Sequence, residues 1–76
     1  MDDPLLSEKI KIERKQFLFD LKENPRGRFL KITEDVGGRR DTIIVPSTGL
    51  DLFRETIEKA ISADQKSPVV VEDTED

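Results

Sequence analysis

Residues 16–32 read Q-F-L-F-D-L-K-E-N-P-R-G-R-F-L-K-I, and this stretch decides the fold. Apolar and polar side chains alternate on both sides of residues 24–27, which is the pattern of two half-buried β-strands. Pro25 restricts φ to about −65° and Gly27 tolerates positive φ, so residues 24–27 are predicted to form a turn. The stretch is therefore predicted to be a β-hairpin with strands over residues 16–23 and 28–34.

Two further strands flank this hairpin. Residues 9–13, K-I-K-I-E, alternate strictly, and residues 41–45, D-T-I-I-V, follow a glycine-driven loop over residues 36–40 and end at Pro46. The arginines of that loop are interpreted as solvated charges or as auxiliary phosphate contacts. Four consecutive strands joined by short turns predict an antiparallel meander.

The apolar period then changes from two residues to that of a helix. Residues 48–51, T-G-L-D, are interpreted as the N-terminal cap, and the helix is predicted to run to about Ser62. It carries a single apolar stripe and is expected to lie against one face of the sheet. The apolar stripe of the helix consists of Leu50, Phe53, Ile57 and Ile61.

The predicted fold is α+β, a four-stranded meander followed by one helix. A flexible segment is predicted over residues 1–7, the folded repeat over 8–62, and an acidic, mostly disordered tail over 63–76.

Composition limits how this chain can be stabilised and what it can do. The 76 residues include no Cys and no His, which excludes a disulfide and a thiolate or imidazole zinc site. Neither a metal nor a cofactor is predicted. Because so short a chain buries little apolar surface, oligomerisation is expected to supply the missing stability. There is no apolar run of about 18 residues and no signal-peptide pattern at the N-terminus, so a soluble, intracellular protein is predicted.

Charge is unevenly distributed along the chain. The net charge is −4, yet residues 7–40 carry ten basic and six acidic side chains, whereas residues 41–76 carry three basic and nine acidic ones. The distribution of charge is a better guide to binding partners than the total, and a basic segment of this kind indicates a polyanionic partner.

Alternation assigns these charges to one face of the predicted sheet. If Phe17, Phe19 and Leu21 face the helix, then Phe29 lies on the opposite face with Leu18, Ile44 and several lysines. Two interpretations of an exposed Phe remain open at this point. It forms a second small core or subunit contact, or it stacks on the bases of a single-stranded nucleic acid whose phosphates the lysines bind.

Three segments resemble the Pur-alpha repeat of the purine-rich-element-binding proteins. They are E-R-K-Q-F-L-F-D-L-K-E-N-P-R-G-R-F-L-K-I (13–32), T-I-I-V-P (42–46) and G-L-D-L-F-R (49–54). The resemblance implies a Whirly-like ββββα PUR repeat, two copies of which intertwine into one globular domain. It also implies binding to purine-rich single-stranded DNA or RNA. Longer members carry two or three repeats and unwind short duplexes, while single-repeat versions occur in bacteria, so the resemblance implies a homodimer here.

The resemblance also implies which residues contact nucleic acid. The family's contact positions fall on Lys22, Asn24, Arg26 and Phe29, and the aromatic ring is the one that stacks against bases. The alternation of side chains along the predicted strands adds Arg28, Lys31 and Lys11 to this set.

Two functions from different classes follow from these observations. The first is a single-stranded nucleic-acid-binding protein with a regulatory, nucleoid- or RNA-associated role, acting in the cytoplasm or nucleoid if bacterial. The alternative is a protein–protein adapter that uses the same apolar and basic face. An enzyme is not expected, because the chain lacks His and Cys and has no glycine-rich phosphate loop of the required spacing.

Overall fold

A computed structural model describes residues 3–67 of the chain. The four strands form one antiparallel sheet in the order β1-β2-β3-β4, and a 3₁₀ turn over Ser47–Gly49 leads from the last strand into a helix. The predicted ββββα architecture is confirmed. The elements are β1 (Leu6–Ile12), β2 (Lys15–Asn24), β3 (Gly27–Val36), β4 (Arg39–Pro46) and α1 (Leu50–Lys66).

The ends of several elements differ from the prediction. Strand β1 begins at Leu6, inside the segment expected to be flexible, because the Leu5 amide donates to the Leu21 carbonyl oxygen (2.7 Å) and Ser7 pairs with Asp20. Helix α1 continues to Lys66, past the expected end near residue 62. The rest of the expected tail, residues 68–76, lies outside the described residues.

The register of the sheet follows from the two-residue loop between β2 and β3. Asn24 pairs with Gly27, and from there each residue of β2 pairs with one of β3, including Lys22 with Phe29 and Leu21 with Leu30. Gly27 has φ of 142°, a value that residues with a Cβ rarely adopt. This pairing places successive side chains on opposite faces of the sheet.

One face of the sheet, here called the apolar face, is the one expected to be covered by the helix. The register aligns Ile10 with Phe17, Phe19 with Ile32, and Ile32 with Ile43, as alternation predicts. Its aliphatic and aromatic residues from the four strands are Leu6, Ile10, Ile12, Phe17, Phe19, Leu21, Leu30, Ile32, Val36, Ile43 and Val45.

Helix α1 does not cover this face in the single chain, so the expected packing of the helix on one face of the sheet is not found within one protomer. Its main contacts are with the Ser47–Gly49 turn, and none of its residues is buried. Phe53 in the predicted stripe is 38% exposed and Ile57 is 49% exposed. The N-terminal cap predicted over residues 48–51 makes no side-chain hydrogen bond, because Gly49 occupies the N-cap position and has no side chain to accept one.

As a result the chain has no conventional core within residues 3–67. No apolar side chain among them is buried, and the buried residue is Thr33, whose hydroxyl lies 3.4 Å from that of Thr42. The radius of gyration is 15.2 Å, compared with about 11 Å expected for a compact domain of this length. Both the apolar face and the stripe of α1 are left open to a further partner.

Local strain is found in the turn between β1 and β2. Ile12 pairs with Lys15, which leaves Glu13 and Arg14 as a two-residue hairpin loop. Glu13 has φ of 57°, and within residues 3–67 it is the one residue other than glycine with positive φ. A side chain with a Cβ in this region costs about 1–2 kcal/mol, whereas glycine is favoured in such hairpin loops.

Replacing Glu13 by glycine is therefore expected to stabilise the fold. Because Glu13→Gly relieves the positive φ, we expect the free energy of unfolding to rise by about 0.5–1 kcal/mol. Denaturant unfolding at matched protein concentration measures this change. Glu8→Gly, in the extended backbone of β1, is the control and should lower stability by a similar amount. Equal destabilisation by both substitutions would contradict the assignment of strain to Glu13.

Candidate nucleic-acid interface

The face opposite the apolar face, here called the basic face, gathers residues from all four strands. Lys22 pairs with Phe29, Asp20 with Lys31 and Leu18 with Thr33, so these side chains share one side of the β2–β3 pair. Strand β1 adds lysines and β4 adds Arg40, Thr42, Ile44 and Pro46. The charged side chains of the basic face are Lys9, Lys11, Lys22, Lys31 and Arg40, which are cationic, and Asp20 and Asp35, which are anionic.

An open concavity of about 540 Å³ lies at the end of this face where the β2–β3 turn meets the end of β4. Phe29 pairs directly with Pro46, and Ile44 follows two residues before Pro46 on the same side of β4. The ring of Phe29 is half-buried rather than covered. The concavity is lined by Asn24, Arg26, Gly27, Arg28, Phe29, Ile44 and Pro46.

This arrangement combines the two kinds of contact that an unpaired nucleic-acid strand requires. An apolar wall of Phe29, Ile44 and Pro46 offers a surface for a planar base, and the cations of the turn and of Lys22 and Lys31 suit phosphates. Stacking of a base on an aromatic side chain contributes about 1–3 kcal/mol and does not depend strongly on sequence.

Asn24 shapes the turn as well as lining the concavity. Its side-chain oxygen Oδ1 accepts hydrogen bonds from the backbone amides of Arg26 (2.8 Å) and Gly27 (3.1 Å). This Asx turn occupies the carbonyl oxygen, so the Nδ2 amide group remains to donate to a ligand. The residue that the family resemblance assigned to binding therefore also has a structural role.

The seven expected contact residues do not all lie together. Lys22, Phe29 and Lys31 share the basic face, and Asn24 and Arg26 lie in the adjoining turn. These five residues are neighbours at one end of the sheet.

Arg28 and Lys11 differ from this group. Arg28 lines the concavity, but alternation directs it to the side opposite Phe29, where its Nε lies 3.6 Å from a carboxylate oxygen of Glu23. Lys11 is on the basic face but pairs with Gln16, six residues along β2 from Lys22. That separation is about 20 Å at the rise of a β-strand, so Lys11 contacts only a ligand that extends along the face.

Two residues of β4 were not among the expected contacts. Pro46 lines the concavity, a role that would have followed from the sequence only if β4 had been extended one residue past Val45. Arg40 was assigned to a loop, but it belongs to β4, and its Nε lies 3.0 Å from Oδ2 of Asp35. Oδ1 of Asp35 accepts from the Gly38 amide (3.0 Å), so this carboxylate holds the β3–β4 turn and neutralises Arg40.

No group of His, Cys, Asp and Glu side chains within residues 3–67 is arranged to hold a metal ion. Over the same range, no helix has the length and apolar character needed to cross a membrane.

Comparison with known proteins identifies the family. Residues 2–75 match the family described as PurA ssDNA and RNA-binding protein. The chain is 45% identical over 64 residues to Transcription factor Pur-alpha 1 of Arabidopsis thaliana, an alignment that covers 84% of this chain and 22% of that protein. It is 39% identical over 70 residues to Transcriptional activator protein Pur-alpha of Mus musculus and of Homo sapiens, which covers 79% of this chain and 22% of each relative. The chain thus spans less than a quarter of the length of these relatives. It belongs to the PurA family of single-stranded DNA- and RNA-binding proteins.

Proposed function

We propose that this chain binds purine-rich single-stranded DNA or RNA on its basic face, without a catalytic step. The observation that carries the proposal is the pairing of Lys22 with Phe29 beside the concavity at the β2–β3 turn. It puts a half-buried aromatic ring directly opposite a lysine on the same face of the sheet. Membership of the PurA family supports the same function.

In this proposal the bases and the phosphates of the strand bind to different side chains. A base stacks on Phe29 against Ile44 and Pro46, while Lys22, Lys31 and Arg26 neutralise phosphates. A single strand is favoured over a duplex because the faces of paired bases are already stacked on their neighbours. The concavity of about 540 Å³ is in the usual range for ligand sites of about 300–1,000 Å³.

The adapter alternative is less well supported. A protein-binding patch typically has few charged residues at its centre, whereas Phe29 has Lys22 opposite it and Lys31 two residues along β3. The relatives are named as a transcription factor and transcriptional activators. A role in regulating transcription, and an intracellular location, are accordingly part of the proposal for this chain.

We also propose that two copies of the chain form an intertwined homodimer. The apolar face and the stripe of α1 are complementary in character, and both are uncovered in the single chain. If α1 of each copy packs on the apolar face of the other, both surfaces are buried by the same contact. Such an isologous arrangement closes the assembly at two copies.

Substitutions at the concavity are expected to separate stacking from phosphate binding. Phe29→Ala should weaken binding to a purine-rich single strand by about 1–3 kcal/mol, because it removes a stacking surface, with little change in the salt dependence. Lys22→Ala should instead reduce the slope of log affinity against log salt by about 0.7, the value for one phosphate contact on a single strand. Fluorescence anisotropy titrations at several salt concentrations measure both effects.

Lys59→Ala, on the exposed surface of α1, serves as the matched control for the loss of one positive charge and should leave the slope unchanged. Thermal unfolding of the same Phe29→Ala sample distinguishes a binding residue from a structural one. A variant that binds like the parent but melts at a much lower temperature would favour the adapter or core interpretation of Phe29.

Two adjacent isoleucines provide a test of the homodimer. Ile43 and Ile44 are 52% and 53% exposed in the single chain but lie on the apolar face and the basic face respectively. If the apolar face is buried in the dimer, Ile43→Ala should destabilise the dimer by about 2–5 kcal/mol, the cost of truncating a buried isoleucine. Sedimentation equilibrium and unfolding at several protein concentrations measure this effect.

Ile44→Ala is the matched control, because it removes the same atoms from the opposite face. It should leave the dimer intact within about 0.5 kcal/mol, the usual range for an exposed position, while weakening nucleic-acid binding. A parent protein that sediments as a monomer of 8.7 kDa would overturn the homodimer. Equal effects of the two substitutions on association would overturn the proposed interface.

A further inference from the structure

A carboxylate lies in the middle of the basic face, close to the concavity. Asp20 pairs with Lys31 on β3, and it precedes Lys22, the partner of Phe29, by two residues on the same side of β2. Its side chain is half-buried. Asp20 and Phe29 are therefore diagonal neighbours across the β2–β3 pair, and such residues are about 7–8 Å apart. A nucleotide held at Phe29, or the next nucleotide along the bound single strand, comes within reach of Asp20.

The hydrogen bonds of Asp20 leave part of its accepting capacity unused. The Ser7 hydroxyl donates to Oδ1, which ties β1 to β2. Within residues 3–67 no other hydrogen bond and no ion pair reaches this carboxylate, although Lys31 is its cross-strand partner. An ionised carboxylate accepts up to about four hydrogen bonds, so Oδ2 and a lone pair of Oδ1 remain for a ligand.

The other carboxylate of the basic face shows a different arrangement. Both oxygens of Asp35 are used inside the protein, by Arg40 and by the Gly38 amide. Asp35 therefore has a structural function that accounts for its place among cations. The bond from Ser7 accounts for only one oxygen of Asp20.

Electrostatics restricts what can bind at Asp20. Asp20 offers acceptors at this point of the face, and N–H donors on a base edge can pair with them whereas a phosphate cannot. Guanine has two adjacent donors, N1–H and N2–H, on its Watson–Crick edge and an acceptor, O6, beside them. Adenine and cytosine each offer one amino group on that edge, and thymine offers one imide N–H.

We propose that Asp20 is a specificity-determining residue that accepts hydrogen bonds from N1–H and N2–H of guanine, so that the chain prefers guanine to adenine within purine-rich strands. The inference rests on the proposed function, because it requires a single strand on the basic face. Lys31 lies directly opposite Asp20, and because its ammonium group has three N–H donors, one can bond to O6 while the others face a phosphate. The pair thus presents one donor and two acceptors, the complement of the guanine edge.

Three oligonucleotides of equal length test this inference. The first is a single-stranded oligodeoxyadenylate with spaced guanines, which avoids the guanine runs that form quadruplexes. The second has inosine at each guanine position and lacks only the N2 amino group, and the third has adenine there. We expect the parent to bind the guanine strand roughly five- to tenfold more tightly than the other two, the lower part of the range for a bidentate base contact.

Asp20→Asn is the informative variant, because an amide oxygen still accepts from Ser7 and the shape is kept. It should abolish the preference for guanine over inosine, while its affinity for the adenine strand stays the same or rises because a negative charge has been removed. Glu55→Gln removes one charge from an exposed position of α1 and is the matched control. It should retain the full preference.

The outcomes distinguish this inference from the function on which it rests. If the parent binds single strands but does not separate guanine from inosine, or if Asp20→Asn retains the same preference, the role of Asp20 is overturned and the proposed function stands. If none of the three strands binds to the parent at low salt, the proposed function and the role of Asp20 both fail.

Discussion

The register of the β2–β3 pair is the constraint on which the sheet and the candidate site depend. Oδ1 of Asn24 bonds to two backbone amides, and Gly27 takes a φ of 142°, which together set the two-residue loop and the pairing that follows from it. Because side chains alternate along a strand, a slip of one residue would move Phe29 to the apolar face and Leu30 to the basic face. The turn therefore determines which surface is available to a ligand.

The two faces of the sheet differ in the kind of partner that they can bind. The basic face exposes part of the Phe29 ring. The apolar face is uncovered because α1, which follows β4 and the Ser47–Gly49 turn, does not pack against the sheet. Pro46 belongs to both parts of the molecule, since it lines the concavity and is the last residue before the Ser47–Gly49 turn. The proposed binding site and the proposed dimer contact are consequently joined by one short segment of backbone.

Charge on the basic face is less uniform than the sequence suggests. Asp35 neutralises Arg40 at one end, whereas Lys22 and Arg26 have no salt bridge with any of residues 3–67 at the other. The two cations beside Phe29 are thus available to a phosphate. Asp20 lies among the cations of the basic face, and its proposed ligand is a base edge rather than a phosphate.

By itself the sequence determined the strands, their order and the two faces, because the period-two alternation of apolar residues is a local property of each strand. It also determined that Phe29, Lys22 and Lys31 lie together, while Asn24 and Arg26 were identified through the family resemblance. Only the tertiary structure decided the ion pair of Arg28 and the direction of α1. The apolar stripe of a helix shows that the helix packs against another apolar surface, but it does not show which one. That choice depends on contacts with residues far apart in the chain or in another copy.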